Sequence, residues 1–231
     1  MLRDTWLMTI KDLRIELTSR VVMAQILPFG LLILILFGLA ISPDLLVVGD
    51  ARRPVIEEVA PGLFWLAVLL SALMALGRAF ALEADDGNLD ALRMAGLDPA
   101  GVFLGKALAV AVQLVAVEVV LGFGAFVVFG APVAQVGLLV TTVLLATAGV
   151  TLAGTLYAAL AAGLRVRDTL VPLLVLPVLA PVLLGATLAT RDALFADPLV
   201  PGWSWAGLLA VFSLLYLGVG MLAFGPLLEE S

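Results

Sequence analysis

Few side chains in this protein could do chemistry, and the most unusual of them is Glu118. It lies inside a long apolar stretch, where an acidic side chain is costly and often functional. A proton or cation relay normally uses further acids, and no other apolar stretch of this length contains one. Gln113 lies about 140° further round a helix, so it is not a partner on the same face. Glu118 therefore fits a relay or a hydrogen-bonded acid at a helix interface.

The residue inventory excludes several classes of catalytic site. The chain has no Cys and no His, which removes thiolate nucleophiles, Cys- and His-based metal sites and Ser-His hydrolases. The run GVFLGK at 101–106 is similar to a phosphate-binding loop, but it has the wrong spacing between its glycines and no hydroxyl residue after Lys106. No nucleotide site, metal site or catalytic residue is predicted in this chain. A net charge of -6 indicates no nucleic-acid partner.

The elements that must position these residues are membrane helices. The chain is 63% hydrophobic with a mean hydropathy of +1.21, more than a soluble domain of 24.1 kDa can bury. Continuous apolar runs argue against a transmembrane barrel. We predict an all-α polytopic membrane protein whose six spans cover about 21–41, 59–80, 107–129, 136–162, 170–189 and 206–228. Most Lys and Arg residues lie on the side of the two termini, which predicts that both are cytoplasmic.

Residues 1–20 predict an amphipathic helix at the membrane interface. Their apolar residues share one helical face: Leu2, Trp6, Ile10, Leu13 and Leu17. A plain helical extension of the first span is the alternative. The first apolar run is too long for the core of a signal peptide.

The connection 82–106, between the second and third spans, is the most informative segment. Asn88 suits the start of a short helix over 89–95, Gly96 suits its end, and Asp98-Pro99 marks a stop. Leu89 and Leu92 would be apolar side chains without a core, which a partner protein could cover. The alternative is a loop helix packed on its own bundle.

This loop resembles the intracellular loop of type-2 ABC exporter permeases, which rests on an ATP-hydrolysing subunit. The matching residues are Asp85, Asp86, Gly87, Asn88, Leu89, Asp90, Pro99, Gly105 and Lys106. Residues 60–76 and 164–186 resemble the second and the Pro-rich fifth span of the haem exporter protein B (CcmB) family. The sequence departs from that pattern at Gly77, where the family often has Glu, and in the box Gly87-Asn88-Leu89-Asp90.

The resemblance implies a non-catalytic permease subunit of an ATP-driven complex for cytochrome c biogenesis in the bacterial inner membrane. That complex would serve haem export or the ATP-dependent release of a haem-loaded periplasmic chaperone. It implies a separate ABC ATPase, a haem-handling membrane subunit, a small single-span subunit and two permease copies. The ATPase would dock on the coupling loop at Asp85, Asp86, Gly87, Asn88, Leu89, Asp90, Leu92 and Pro99. Haem would be cargo or held by a partner, because the available Met and Tyr residues fit packing roles better than axial ligation.

Two other features and two rival functions stay open at this stage. Pro172, Pro177 and Pro181 indicate a hinge or a lumen-lining fifth span, or simple packing irregularity. The small residues Gly154, Ala158 and Ala162 suit close packing within the chain or in a homodimer. The connection 190–204 permits re-entry into the membrane interface. The rival functions are a stand-alone secondary transporter or channel using Glu118, and a non-transporting assembly scaffold.

Overall fold

The computed structural model describes residues 1–40, 55–80, 96–130, 132–162, 167–196 and 201–230, and all regular structure within them is helical. The helices are α1 (Leu2–Ser19), a π-helical turn (Val22–Ile26), α2 (Leu27–Ala40), α3 (Val55–Ala79), α4 (Pro99–Phe129), α5 (Val136–Ala162), α6 (Arg167–Phe195) and α7 (Gly202–Glu230). Among the described residues, six segments are long and apolar enough to cross a bilayer. The predicted six-span helical fold is confirmed.

The third span begins earlier than the hydropathy pattern indicated, at Pro99 rather than at residue 107. The Asp98 carboxylate caps this end by accepting a hydrogen bond from the Ala100 backbone N–H at 3.1 Å. Pro99 takes the first helical position, where a missing N–H costs nothing. Residues 99–106 therefore belong to α4 and not to the loop, and Asp98-Pro99 starts a helix instead of stopping one.

Helix α5 lies at the centre of the bundle and contacts α3, α4, α6 and α7. Helix α2 packs at the edge, on α3 and α4. Gly154 of α5 lies directly against the Leu76 side chain of α3, with no space for a Cβ. Ala158 is buried as well. The small-residue ridge on α5 is thus used, at Gly154, for packing within the chain.

The end of the bundle opposite α1 is held by hydrogen bonds near the end of α6. The Asp192 carboxylate accepts from the Gly202 backbone N–H at 3.0 Å, and the Ala193 carbonyl accepts from the backbone N–H groups of Ala134 and Gln135. The first residues of the connection 190–204 continue α6 to Phe195. Residues 197–200 lie outside the described part, so re-entry stays a prediction.

Candidate functional site

Helix α1 docks on the start of α4 through two glycines, Gly101 and Gly105. A Cβ at Gly105 would lie 2.7 Å from the Thr5 carbonyl oxygen and 2.6 Å from the Met8 Cβ. The Thr9 hydroxyl reaches across, 3.1 Å from the Gly105 carbonyl oxygen. Two glycines four residues apart form a helix-packing motif, because their missing side chains let two backbones approach. The run 101–106, which fails as a phosphate loop, therefore serves as the seat for α1.

The N-terminal end of α1 is tied to the cap of α4. The Asp4 carboxylate accepts a hydrogen bond from the Asp98 backbone N–H at 3.3 Å. That hydrogen bond holds the pKa of Asp4 below its ordinary value. This hydrogen bond is partly buried and weak by itself, but together with the glycine seat it fixes where α1 meets the loop end at residue 98.

Lys106 is the most unusual side chain at this end, since it is charged and only 1% exposed. Its ammonium donates to the Ala79 carbonyl oxygen at 2.6 Å and to Asp12 Oδ2 at 3.2 Å, and lies 4.6 Å from the centre of the Phe80 ring. A buried ammonium is tolerated only when it is paired and hydrogen-bonded. We call Asp12, Ala79, Phe80 and Lys106 the lysine tie. It joins α1, the last turn of α3 and the first turns of α4.

An aromatic cluster adjoins the lysine tie and includes the last span. Phe103 is fully buried, and its ring centre lies 5.6 Å from that of Phe224, which is 6.2 Å from that of Phe80. The Phe103 ring packs directly on Gly220 of α7. The cluster and the tie hold Phe80 in place, and the hydrogen bond to Asp4 of α1 holds Asp98, so both borders of the connection are attached to one packed unit.

Most of the predicted coupling residues lie outside the described part of the chain, namely Asp85, Asp86, Gly87, Asn88, Leu89, Asp90 and Leu92. Their roles stay predictions. Pro99 is described and lies at the first position of α4. Gly96 has φ +63°, the left-handed conformation that a residue following a helix end commonly adopts. The sequence analysis matched Lys106 to the loop pattern but missed its burial, for which the glycine pair at 101 and 105 was an available signal.

The other side of α1 is apolar and open. Leu2, Trp6 and Leu17 are 83%, 61% and 76% exposed, whereas Met8 and Thr9 are buried against α4. A helix with one side on protein and an apolar side uncovered suits the surface of a membrane. Its end is set by Arg20 at φ 54° and by Glu16 Oε1, which accepts from the Val22 backbone N–H at 2.6 Å.

Glu118 is buried in α4, and its partner is Thr147 of α5. The Thr147 hydroxyl oxygen lies 2.8 and 2.7 Å from the two carboxyl oxygens and 2.7 Å from the Val143 carbonyl oxygen. A hydroxyl has a single hydrogen, so it cannot donate to the carbonyl and to the carboxyl together. When Thr147 donates to Val143, a neutral Glu118 completes the arrangement by donating to Thr147.

Glu118 also lines a cavity of about 390 Å³ between α3, α4, α5 and α6. The other lining residues are apolar except Thr190, and Glu118 is the only charged one among them. A relay would need a second acid or a cation within reach, and the described lining offers neither. These contacts therefore favour the interpretation of Glu118 as a hydrogen-bonded acid at a helix interface over that of a relay.

Glu118→Gln is expected to change the free energy of unfolding by less than about 1 kcal/mol, because a Gln amide can donate to Thr147 as a neutral acid does. Glu118→Ala is expected to cost about 2 kcal/mol, from the lost hydrogen bond and the enlarged cavity. Equilibrium unfolding in mixed detergent micelles measures both. A Gln variant as unstable as the Ala variant would show that the site requires an ionised acid.

The three prolines of α6 lie within a continuous helix. Pro177 and Pro181 are exposed and Pro172 is half-buried, while the buried face of α6 is formed by Val175 and Leu179. A lumen lined by these prolines would therefore have to lie between this chain and another one. The hinge role stays a prediction.

The fold and the site identify the class of protein. Six apolar helices and a surface helix seated on the bundle make this a polytopic helical membrane protein with a permease-like architecture. The family model described as CcmB protein matches residues 3–231. The chain belongs to the CcmB family.

Named relatives cover most of the chain. It is 34% identical over 195 residues to heme exporter protein B of Paracoccus denitrificans, covering 82% of this chain and 84% of that one. It is 32% identical over 185 residues to the protein of that name in Rhodobacter capsulatus, covering 79% and 81%. The protein of that name in Haemophilus influenzae is 29% identical over 208 residues, covering 90% and 88%. The predicted family is confirmed.

Proposed function

We propose that this chain is the permease subunit of an ATP-driven complex that serves cytochrome c biogenesis. Family membership supports the haem-related role, since the relatives are named heme exporter protein B. The observation that carries the coupling role is the lysine tie, which attaches the borders of the loop predicted to contact an ATPase. Hydrolysis takes place on a separate subunit, and this chain is non-catalytic.

The geometry explains how a force on the loop would reach the membrane. The loop leaves α3 at Phe80 and enters α4 at Asp98, and both helices are joined through Lys106 to α1. Movement of a docked ATPase would then shift α1, α3 and α4 as one unit. That unit continues into α7 through Phe103 and Phe224.

The proposal places the chain in the bacterial inner membrane, with both termini and the loop in the cytoplasm. Two permease copies, a haem-handling membrane subunit and a small single-span subunit complete the complex. A periplasmic haem chaperone is the indirect partner. Because this chain has no His and no Cys, and its Met and Tyr residues fit packing roles better than axial ligation, the iron ligands of any bound haem come from a partner. The complex uses ATP for haem export or for release of the loaded chaperone.

Replacing Leu89 and Leu92 together by Asp is expected to abolish retention of the ATPase in a pull-down, because charges would replace the apolar surface that it covers. Insertion of the six spans is expected to be unchanged. Thr18→Asp is the matched control, since it adds an acid to an exposed position of α1, at the same end of the bundle. Undiminished ATPase retention in the double Asp variant would contradict the coupling assignment.

A stand-alone transporter using Glu118 remains the second candidate, because the buried acid lines the cavity described above. The two candidates differ in their response to Glu118→Gln. Transport through a Glu118 relay would be lost in that variant, whereas release of haem-loaded chaperone by the ATP-driven complex is expected to continue.

A further inference from the structure

A second cleft, of about 290 Å³, lies beside the lysine tie and between α1, the π-helical turn, α3 and α4. Its apolar wall includes Ile26 and Val110, and its polar groups include Asp12, Glu16 and Arg78. The cleft therefore combines an apolar wall with both acidic and basic side chains, unlike the cavity at Glu118.

The charged groups of the cleft differ in how many hydrogen bonds and ion pairs they already make within the protein. The Asp12 carboxylate is paired with Lys106 and Lys11, each at 3.2 Å. Glu16 uses Oε1 for the Val22 backbone N–H, which leaves Oε2 for another donor. Arg78 is exposed and makes no hydrogen bond or ion pair in the part of the chain that the structure describes. The cleft thus has donors at Arg78 and an acceptor at Glu16 for a ligand.

The ligand that fits carries an anion and an N–H cation close together. A guanidinium matches phosphate oxygens through paired N–H groups, and a carboxylate accepts from a primary ammonium. The cleft lies beside α1, whose uncovered residues Leu2, Trp6 and Leu17 suit the membrane surface. A concave site at that depth meets lipid head groups before it meets any dilute soluble ligand.

We propose that this cleft binds the head group of a phospholipid bearing a primary ammonium, with the phosphate on Arg78 and the ammonium on Glu16. Phosphatidylethanolamine has that chemistry. A choline head group has no N–H to donate to Glu16. A glycerol head group carries net negative charge towards Asp12 and Glu16. The ethanolamine lipid is therefore preferred over both.

The site adjoins the lysine tie, because Asp12 lines the cleft and also accepts from Lys106. A bound head group would limit how far α1 can move away from α3 and α4. This inference does not rest on the proposed function, because it concerns the contacts of α1 and requires no ATPase.

The test is lipid titration of the purified full chain, read by native mass spectrometry and by thermal stability. Phosphatidylethanolamine, phosphatidylcholine and phosphatidylglycerol with identical acyl chains are compared with soluble glycerophosphoethanolamine. We expect the ethanolamine lipid to bind most tightly. Arg78→Gln and Glu16→Gln are each expected to weaken it about tenfold, the loss of one charge-assisted contact. In Glu16→Gln the new amide oxygen can still accept from the Val22 backbone N–H, so the end of α1 is preserved.

Arg14→Gln is the matched control, because Arg14 is an exposed arginine of α1 that does not line the cleft. It is expected to bind the lipid as the parent does. Arg78→Lys, which keeps the charge but not the paired geometry, is expected to be intermediate. Equal binding of all three lipids, or an Arg78→Gln variant that binds like the parent, would overturn the proposal. Binding of the soluble compound as tight as the lipid would overturn the assignment to a membrane head group.

Discussion

Replacing Asp12 by Leu is expected to destabilise the protein by about 3–5 kcal/mol, because it breaks the ion pair between Asp12 and the buried Lys106 ammonium. The Lys106 side chain is 1% exposed, and this variant removes Asp12 while the contacts with the Ala79 carbonyl oxygen and the Phe80 ring stay in place. Equilibrium unfolding in mixed micelles measures the loss. Retention of the ATPase in a pull-down is expected to fall in parallel, since the borders of the loop lose their joint to α1.

The double variant Asp12→Leu with Lys106→Met separates charge from packing. It removes both charges of the pair and is expected to recover at least half of the stability lost in Asp12→Leu alone, because a buried ammonium no longer has to be desolvated. Lys11→Met is the matched control. Lys11 also pairs with Asp12, but its side chain is 41% exposed, so its loss is expected to cost less than about 1 kcal/mol. A double variant as unstable as Asp12→Leu would contradict the role of the buried pair.

Gly105→Val is expected to detach α1 from α4. The new side chain would meet the Thr5 carbonyl oxygen, which belongs to the backbone and cannot rotate away. Overpacking of this kind costs about 1–3 kcal/mol, and moving α1 outward relieves it. The effect should reach the loop, because Asp12 moves with α1 and is drawn away from Lys106.

The chain has no cysteine, so a single introduced one reports on this contact. Thr9→Cys lies in the buried contact between α1 and α4, where Thr9 is 2% exposed. The introduced thiol is expected to react slowly with maleimide in the Thr9→Cys variant and quickly in the variant that also carries Gly105→Val. Gly77→Val is the matched control, because nothing lies within 4 Å of a Cβ at Gly77. A Cys at position 9 that stays protected beside Gly105→Val would show that α1 does not sit on this glycine.

The predictions for Asp12→Leu and Gly105→Val both test the contact between α1 and the bundle. The glycine seat sets how closely α1 approaches α4, and the lysine tie sets where it stops along α3. Both depend on residues of α1 that the hydropathy pattern assigned only to the membrane surface. Helix α1 is therefore an amphipathic helix with two functional faces. Its apolar face is uncovered, and its face of small and polar residues packs on the bundle.

Hydropathy alone determined the six spans, since a membrane helix must satisfy its own backbone hydrogen bonds over about 20 apolar residues. That requirement is local, and a local window of sequence reveals it. The period of the apolar residues in 1–20 likewise predicted an amphipathic helix. The span boundary at Pro99 was missed because hydropathy weighed against Lys106, although Asp98 and Pro99 carried the signal for a helix start.

Only the tertiary structure decided the partners of the polar residues. Asp12 and Lys106 are 94 positions apart, and Glu118 and Thr147 are 29 apart. No periodicity links such pairs, because their meeting depends on which helix faces come together. The same holds for Gly105, whose sequence context fits a loop, a phosphate site or a packing motif. Burial decides which of these roles applies. A buried charge needs a paired neighbour, and a glycine in the bundle serves packing only where a second helix approaches it closely.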